Sequence, residues 1–295
     1  MSPKNLFNQN EPDKCKNCEK PVTIGIKFCS GYCEFIDTVN NLRREIETLM
    51  TSNPFTCAIC NKTFRLALRK KTYYPYCSRK CMNEGHLKDT KNKVLKYLGW
   101  LGEIHNGKIT NKQVKDDLKE KILKFFPSVQ KAVEESGNEY VIIKGGFKSV
   151  GRLSKAYKRQ DLDGLFVRSS WEANYLRILR HLKWNYEYEP QVFEFPVKKG
   201  NRFYLPDVYL TDHKEYIEIK GFMDNNSRIK IDRFHKYYPD LKLSILGRKE
   251  YDLMKDIGFL LPIWEFSSVD DIVKNIVFKQ QILDNKEYER CKTWI

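Results

Sequence analysis

The sequence predicts an α/β (α+β) chain: two small cysteine modules, a helical middle, and a C-terminal domain with a mixed central sheet flanked by helices. Three observations carry this. Eight of the nine cysteines lie before residue 82, in two sets of one pattern. Apolar residues then recur at helical spacing as far as Phe125. From about residue 165, strand-like alternation is interleaved with helical stretches. The expected divisions are 1–50 and 51–100 for the two modules with their trailing helices. A helical and basic connector at 101–162 and the mixed domain at 163–295 complete the chain.

The chain has 295 residues, of which 41% are hydrophobic, enough for one sizeable domain beside smaller modules. Lys and Arg number 53 against 38 Asp and Glu, a net charge of +15. That balance favours a polyanionic partner, with nucleic acid first. No apolar run of ~18 residues predicts a membrane span. The start, MSPKNLFNQNEPDK, is polar and lacks the apolar core of a signal peptide. A cytoplasmic, reducing location is therefore expected, in which cysteines serve as metal ligands in preference to disulfides.

Cys15 and Cys18 are followed by Cys29 and Cys33; Cys57 and Cys60 are followed by Cys77 and Cys81. Each set reads Cys-x-x-Cys, a spacer, then aromatic-Cys-Ser-x-x-Cys: Phe28-Cys29-Ser30-Gly31-Tyr32-Cys33 and Tyr76-Cys77-Ser78-Arg79-Lys80-Cys81. A two-residue gap forms a knuckle with both sulfurs on one side. Cysteines four apart at a helix start share a face. Four thiolates suit a tetrahedral, closed and hence structural zinc site. Two structural Zn²⁺ are expected, with exchange of ligands between the repeats left open. The segments over roughly 13–90 resemble treble-clef-like zinc fingers, which bind DNA or protein. Cys291 is expected to be an ordinary thiol.

Phe35, Val39, Leu42, Ile46 and Leu49 mark a helix after the first set. Leu87, Val94, Leu95 and Leu98 mark one after the second. Residues 111–126 predict an amphipathic helix with Val114, Leu118, Ile122 and Phe125 on its apolar face, capped by Thr110 or Asn111. Tyr140–Ile143 reads as a strand. A basic, glycine-rich connector follows, and Lys144, Lys148, Arg152, Lys155, Lys158 and Arg159 are its candidate phosphate contacts. Beyond it, a helix over 170–183 has the capping-box pair Ser169 and Glu172. Strands are predicted at 185–189, 191–197, 202–210, 214–219 and 241–246, with helices at 227–238, 249–257 and 269–283.

The chemistry-bearing stretch is 202–221, RFYLPDVYLTDHKEYIEIKG. In a strand Tyr216, Glu218 and Lys220 share one face, with Ile217 and Ile219 on the other. If 202–210 and 214–219 form a hairpin, Asp207 lies beside Glu218. Two converging carboxylates repel unless a cation lies between them. A hard divalent ion such as Mg²⁺ would polarise a phosphodiester and acidify a bound water, with Lys220 positioning that water or offsetting growing negative charge.

Pro206-Asp207 with Glu218-Ile219-Lys220 resembles the PD-(D/E)XK nuclease superfamily over about residues 163–250, and the element order helix–strand–strand–strand–helix–strand agrees. The resemblance implies a restriction-endonuclease-like core and Mg²⁺-dependent hydrolysis of DNA, with Mn²⁺ as a substitute. It implies Asp207, Glu218 and the Ile219 carbonyl as metal ligands, Lys220 as a catalytic group, and Glu172 as the upstream acidic residue. For Glu172, helix capping is the rival role. The stretch is similar to phage-encoded and homing-type endonucleases and to the nuclease subunit of heteromeric transposases. Gly221-Phe222 replaces the glutamine that some branches carry after the lysine, which disfavours a junction resolvase.

Arg228, Lys230 and Arg233 are candidate DNA contacts on the helix after the metal strand. Glu189, near the site by topology, is a weaker candidate for a catalytic role, and His213 and Lys214 are read as unremarkable turn residues. Double-stranded DNA is the expected partner and a membrane is not. One centre cuts one strand at a time, so double-strand cleavage implies a homodimer or sequential nicks. The favoured expectation is a site-specific endonuclease. The alternatives are a transposase-type subunit acting with partner proteins and an inactive zinc-finger DNA-binding protein.

Overall fold

The computed structural model describes residues 12–52, 54–57, 59–65, 76–86, 91–114, 116–142 and 156–265. The fold is mixed α/β with small sheets. In chain order it contains β1 (Asp13–Lys14), β2 (Pro21–Val22), α1 (Gly31–Ser52), β3 (Phe55–Thr56), β4 (Thr63–Phe64), α2 (Arg79–His86) and α3 (Lys91–Ile104). Next come β5 (Lys108–Thr110), α4 (Asp116–Leu123), α5 (Val129–Glu135), β6 (Glu139–Val141), β7 (Tyr157–Arg159), β8 (Leu165–Val167) and α6 (Ser170–His181). The rest are β9 (Tyr186–Tyr188), β10 (Phe193–Glu194), β11 (Phe203–Tyr204), β12 (Val208–Leu210), β13 (Glu215–Ile219), α7 (Asn225–Tyr237), β14 (Lys242–Leu246) and α8 (Arg248–Ile257). The chain forms two compact units, each from two stretches: Met1–Arg43 with Trp184–Leu253, and Arg44–Lys183 with Met254–Ile295. No described helix is long and apolar enough to cross a membrane.

The first unit is organised by a four-stranded sheet in the order β14-β13-β12-β9. β12 is antiparallel to β13 and to β9, whereas β13 and β14 are parallel. The strand expected over 202–210 is interrupted. Phe203 and Tyr204 pair with Glu194 and Phe193, and pairing resumes at Val208 with different partners. Pro206 lies in the gap, where a residue without an N–H cannot extend a ladder. α7 is capped by Asp224, whose carboxylate accepts the Ser227 N–H at 2.7 Å. One core gathers Phe193, Phe195, Tyr204, Tyr216 and Phe234 from strands and helix. Its rings meet mostly edge to face, as between Phe193 and Phe234 at 4.8 Å.

In the second unit α3, α4 and α5 pack with the parallel pair β5–β6 around Leu98, Ile109, Leu118, Ile122, Phe126 and Ala132. The single helix expected over 111–126 is shorter, starting at Asp116 and ending at Leu123. Pro127 disfavours helical backbone at the residue before it. The turn therefore buries Phe126 and leaves Phe125 exposed, the reverse of the expected face. α5, capped by Ser128, and strand β5 were not anticipated. α6 has the expected cap but a wider buried face, with Asn174 and Arg177 buried beside Tyr175 and Ile178. Residues 269–283 lie outside the described residues.

Candidate functional site

Each cysteine set closes on itself, which settles the possibility of ligand exchange between repeats. The sulfurs of Cys15, Cys18, Cys29 and Cys33 lie within 4.8 Å of one another, and so do those of Cys57, Cys60, Cys77 and Cys81. Sulfurs held ~2.3 Å from a central zinc at tetrahedral angles would be about 3.8 Å apart. Cys18–Cys29 is 3.5 Å, Cys29–Cys33 3.5 Å, Cys60–Cys77 3.6 Å and Cys77–Cys81 3.8 Å. All eight are free thiols. Each group could hold a zinc ion.

The repeated Cys-Ser element has a structural reason. Ser30 Oγ accepts the Cys33 N–H at 3.2 Å, and Ser78 Oγ accepts the Cys81 N–H at 3.3 Å. The serine caps the helix that presents the fourth sulfur. Burial raises the Cys15 thiol, but backbone N–H groups of Cys29, Cys18 and Asn17 outweigh it and lower the thiol to about 6. At Cys57 burial is likewise outweighed by the N–H groups of Cys60, Cys77 and Ile59, again to about 6. Donors aimed at sulfur favour the thiolate that a metal needs.

Asp207 and Glu218 stand opposite one another at the open end of the β12–β13 hairpin. Val208 pairs with Ile217, so the next positions outward are Asp207 and Glu218. Asp207 Oδ2 accepts the Ile219 N–H at 2.6 Å, tying the carboxylate to β13. Glu218 is only 3% exposed. Its Oε2 accepts the Tyr204 hydroxyl at 2.9 Å, and its Oε1 lies 2.6 Å from Lys220 Nζ. The Tyr204 phenol is driven well above its ordinary value, first by burial, then by the Glu218 charge and hydrogen bond, and then by the Asp207 charge. Both carboxylates therefore bear on one buried hydroxyl. Glu189 has left-handed backbone, with φ +47°, and its N–H donates to the Asp207 carbonyl at 2.8 Å.

Glu172 belongs to the other unit, in the first turn of α6. Its Oε1 accepts the Ser169 hydroxyl at 2.6 Å, its Oε2 accepts the Arg168 N–H at 3.3 Å, and its own N–H donates to Ser169 Oγ. This is the capping role. Among the expected phosphate contacts, Lys158 and Arg228 are exposed, and Lys230 and Arg233 are half-buried. Arg233 donates to the Asn201 carbonyl. Arg159 must be withdrawn. It is fully buried, with Nε and Nη2 each 2.9 Å from Glu265 and Nη1 on the Val167 carbonyl. A guanidinium committed in this way cannot reach DNA. Lys144, Lys148, Arg152 and Lys155 lie outside the described residues.

Three roles were not read from the sequence. Tyr204 was placed in a continuous strand, and its contact with Glu218 depends on the break at Pro206. Glu265 joins Arg159, Arg177 and Asn174 across the chain, and no local pattern signals such a pairing. His213 is engaged rather than idle, stacked on Trp184 at 4.6 Å with Nε2 3.1 Å from Glu34. Comparison with family models, with curated proteins and with solved structures finds no match for this chain.

Proposed function

We propose that the chain is a Mg²⁺-dependent endonuclease acting on double-stranded DNA, with Asp207, Glu218 and Lys220 at its centre. The observation that carries this reading is the register that sets Asp207 and Glu218 opposite one another just past the last β12–β13 pair, with an ammonium 2.6 Å from the second carboxylate. The donor set suits a hard divalent ion, for which carboxylate oxygens are the preferred ligands. Asp207 and Glu218 would hold it, with the Ile219 carbonyl as a further oxygen and Mn²⁺ as a substitute. Such an ion, when bound, polarises the phosphodiester and makes a bound water acidic.

The chain's own groups do the positioning. The Ile219 N–H fixes one Asp207 oxygen, and the Tyr204 hydroxyl fixes one Glu218 oxygen. Lys220, about 30% exposed, can place its charge against a phosphate as negative charge grows there. Exposed Lys158 and Arg228, and the lysines and arginine of 144–155, supply phosphate affinity in a chain of net charge +15. A site-specific, homing-type or phage-encoded enzyme is the favoured form, because modules beyond the cutting centre are superfluous for indiscriminate degradation. Cutting both strands would take a homodimer or two successive nicks.

The test is incubation of supercoiled and linear duplex DNA with the protein, in Mg²⁺ and in EDTA. Cleavage should need Mg²⁺ and fall at least about a hundredfold in Asp207→Ala and Glu218→Ala. Cleavage that persists in both variants removes this centre. Defined fragment ends indicate site specificity, whereas a smear indicates degradation.

A further inference from the structure

The first cysteine module sits in the same compact unit as the four-stranded sheet, and the contacts between them are specific. A helix leaves its first N–H groups without intrahelical partners, and the N-terminus carries partial positive charge. In α1 the Tyr32 N–H, between ligands Cys29 and Cys33, donates to Glu215 Oε2 at 3.0 Å. The other Glu215 oxygen accepts the Ser244 hydroxyl of β14 at 2.5 Å. Glu215 is 1% exposed, so without these donors its charge would be buried unsatisfied.

Three further contacts secure the same junction. His213, in the turn before β13, reaches Glu34 and stacks on Trp184, whose ring meets Phe35 edge-on at 6.1 Å. Lys242 Nζ lies 3.5 Å from the Cys29 carbonyl. At Gly31 a Cβ would fall 2.4 Å from the His213 ring, so any larger residue would have to push the two apart. The helix terminus that could have met a phosphate is already held by a carboxylate of this chain.

Glu215 opens β13, and Glu218 lies three residues further along the same strand on its opposite face. We infer that the partner of the first cysteine module is this chain's own sheet, and that zinc in Cys15, Cys18, Cys29 and Cys33 braces the strand that carries Glu218 and leads into Lys220. Loss of the metal frees the turn bearing the Tyr32 N–H, strands Glu215 without its donor, and loosens β13 from its first residue. The brace itself does not depend on the nuclease reading; only its consequence for cleavage does.

Hydrogen exchange and zinc content of the full chain test this, with Cys18→Ser for the first module and Cys60→Ser for the second. Both variants should lose one zinc. Only Cys18→Ser should speed exchange over 215–219 and 242–246, by about tenfold or more. Unchanged exchange there, or equal acceleration in both variants, overturns the inference. Should Cys18→Ser fail to fold, Glu215→Gln serves instead: it should retain zinc at rest yet release one ion to a chelator several times faster. Wild-type release and exchange in Glu215→Gln overturn the brace. In a third arm, Gly31→Ala should accelerate exchange over 215–219, and His213→Ala in the same chain should relieve part of that effect. Strictly additive effects count against the junction. These readouts are indifferent to DNA cutting, so a wild-type protein that fails to cleave would sink the nuclease reading and leave the brace standing.

Discussion

Each compact unit contains one four-cysteine group, and each buries a glutamate that ties distant stretches of the chain together, Glu215 in the first and Glu265 in the second, by different means. In the first unit Glu215 is held by neutral donors, a backbone N–H and a serine hydroxyl. In the second, Glu265 lies between two guanidiniums, Arg159 and Arg177, and its backbone N–H and carbonyl are both taken by the Asn174 side chain. Arg177 also binds Asp161, with Nε 2.6 Å from its carboxylate. The contrast teaches that one residue type can be buried for different ends. Glu215 ties the helix of the first cysteine module to a strand. Glu265 joins β7, α6 and the segment after α8 into one charged network, in which removal of one member leaves another charge unpaired.

The largest expected effect concerns what the units share. Apparent binding free energies of structural zinc are ~10–16 kcal/mol in small fingers. The protein should carry about two zinc ions, and Cys15→Ser and Cys57→Ser should each remove one, read by elemental analysis of the purified chain. A wild-type ratio near zero would end the zinc reading of both groups.

Next comes the ionic network. Glu265→Ala leaves two arginines facing an empty site, so a loss of ~3–5 kcal/mol is expected in denaturant unfolding. Glu215→Ala removes the acceptor of two neutral donors, and ~1–3 kcal/mol is expected. If the two variants proved equally destabilised, the distinction between charged and neutral satisfaction would be lost.

The last effect is a pH dependence that arises in the second unit and shows only in acid. Burial lowers His105 to about 4, from an ordinary value of 6.5; the Glu265 charge opposes this in part, and the Arg159 charge adds to it. Between those values the unfolded chain binds a proton that the folded chain does not. Stability is thus fully present above about 6.5 and declines as pH falls toward about 4. Glu265 acts in the same direction but lower. Burial alone would raise its carboxyl, but Arg159 and Arg177 overcome this and lower it below the usual 4.5, so its contribution is lost only in stronger acid. Melting temperatures of wild type and His105→Gln from pH 4 to 7 check the first part. The variant should show a flatter profile, and parallel profiles would remove His105 as the cause.

Local chemistry was legible where a short pattern carries it. Two knuckles and two Cys-Ser-x-x-Cys elements announce their four-sulfur groups, because capping and the i to i+4 spacing place the thiols without help from the rest of the chain. The Ser169–Glu172 cap is likewise written in four residues. The neighbourhood of Asp207 and Glu218 followed from strand alternation once a hairpin was assumed.

Contacts that cross the chain were beyond such reading. Arg159 looked like one more lysine-like contact in a basic run, yet a carboxylate 106 positions away claims it. Whether an arginine serves solvent or core depends on desolvation and on the partner that repays it, and neither is a local property. Phe125 and Phe126 exchanged places because a turn, not a helix, precedes Pro127. Spacing along the chain by itself determined the two four-cysteine groups, the caps and the strand faces, since these need only a few residues' geometry. Tertiary packing alone decided that Glu215 would hold the first module's helix and that Glu265 would bind two arginines, since a buried charge is tolerable only where the whole fold brings its partners to it.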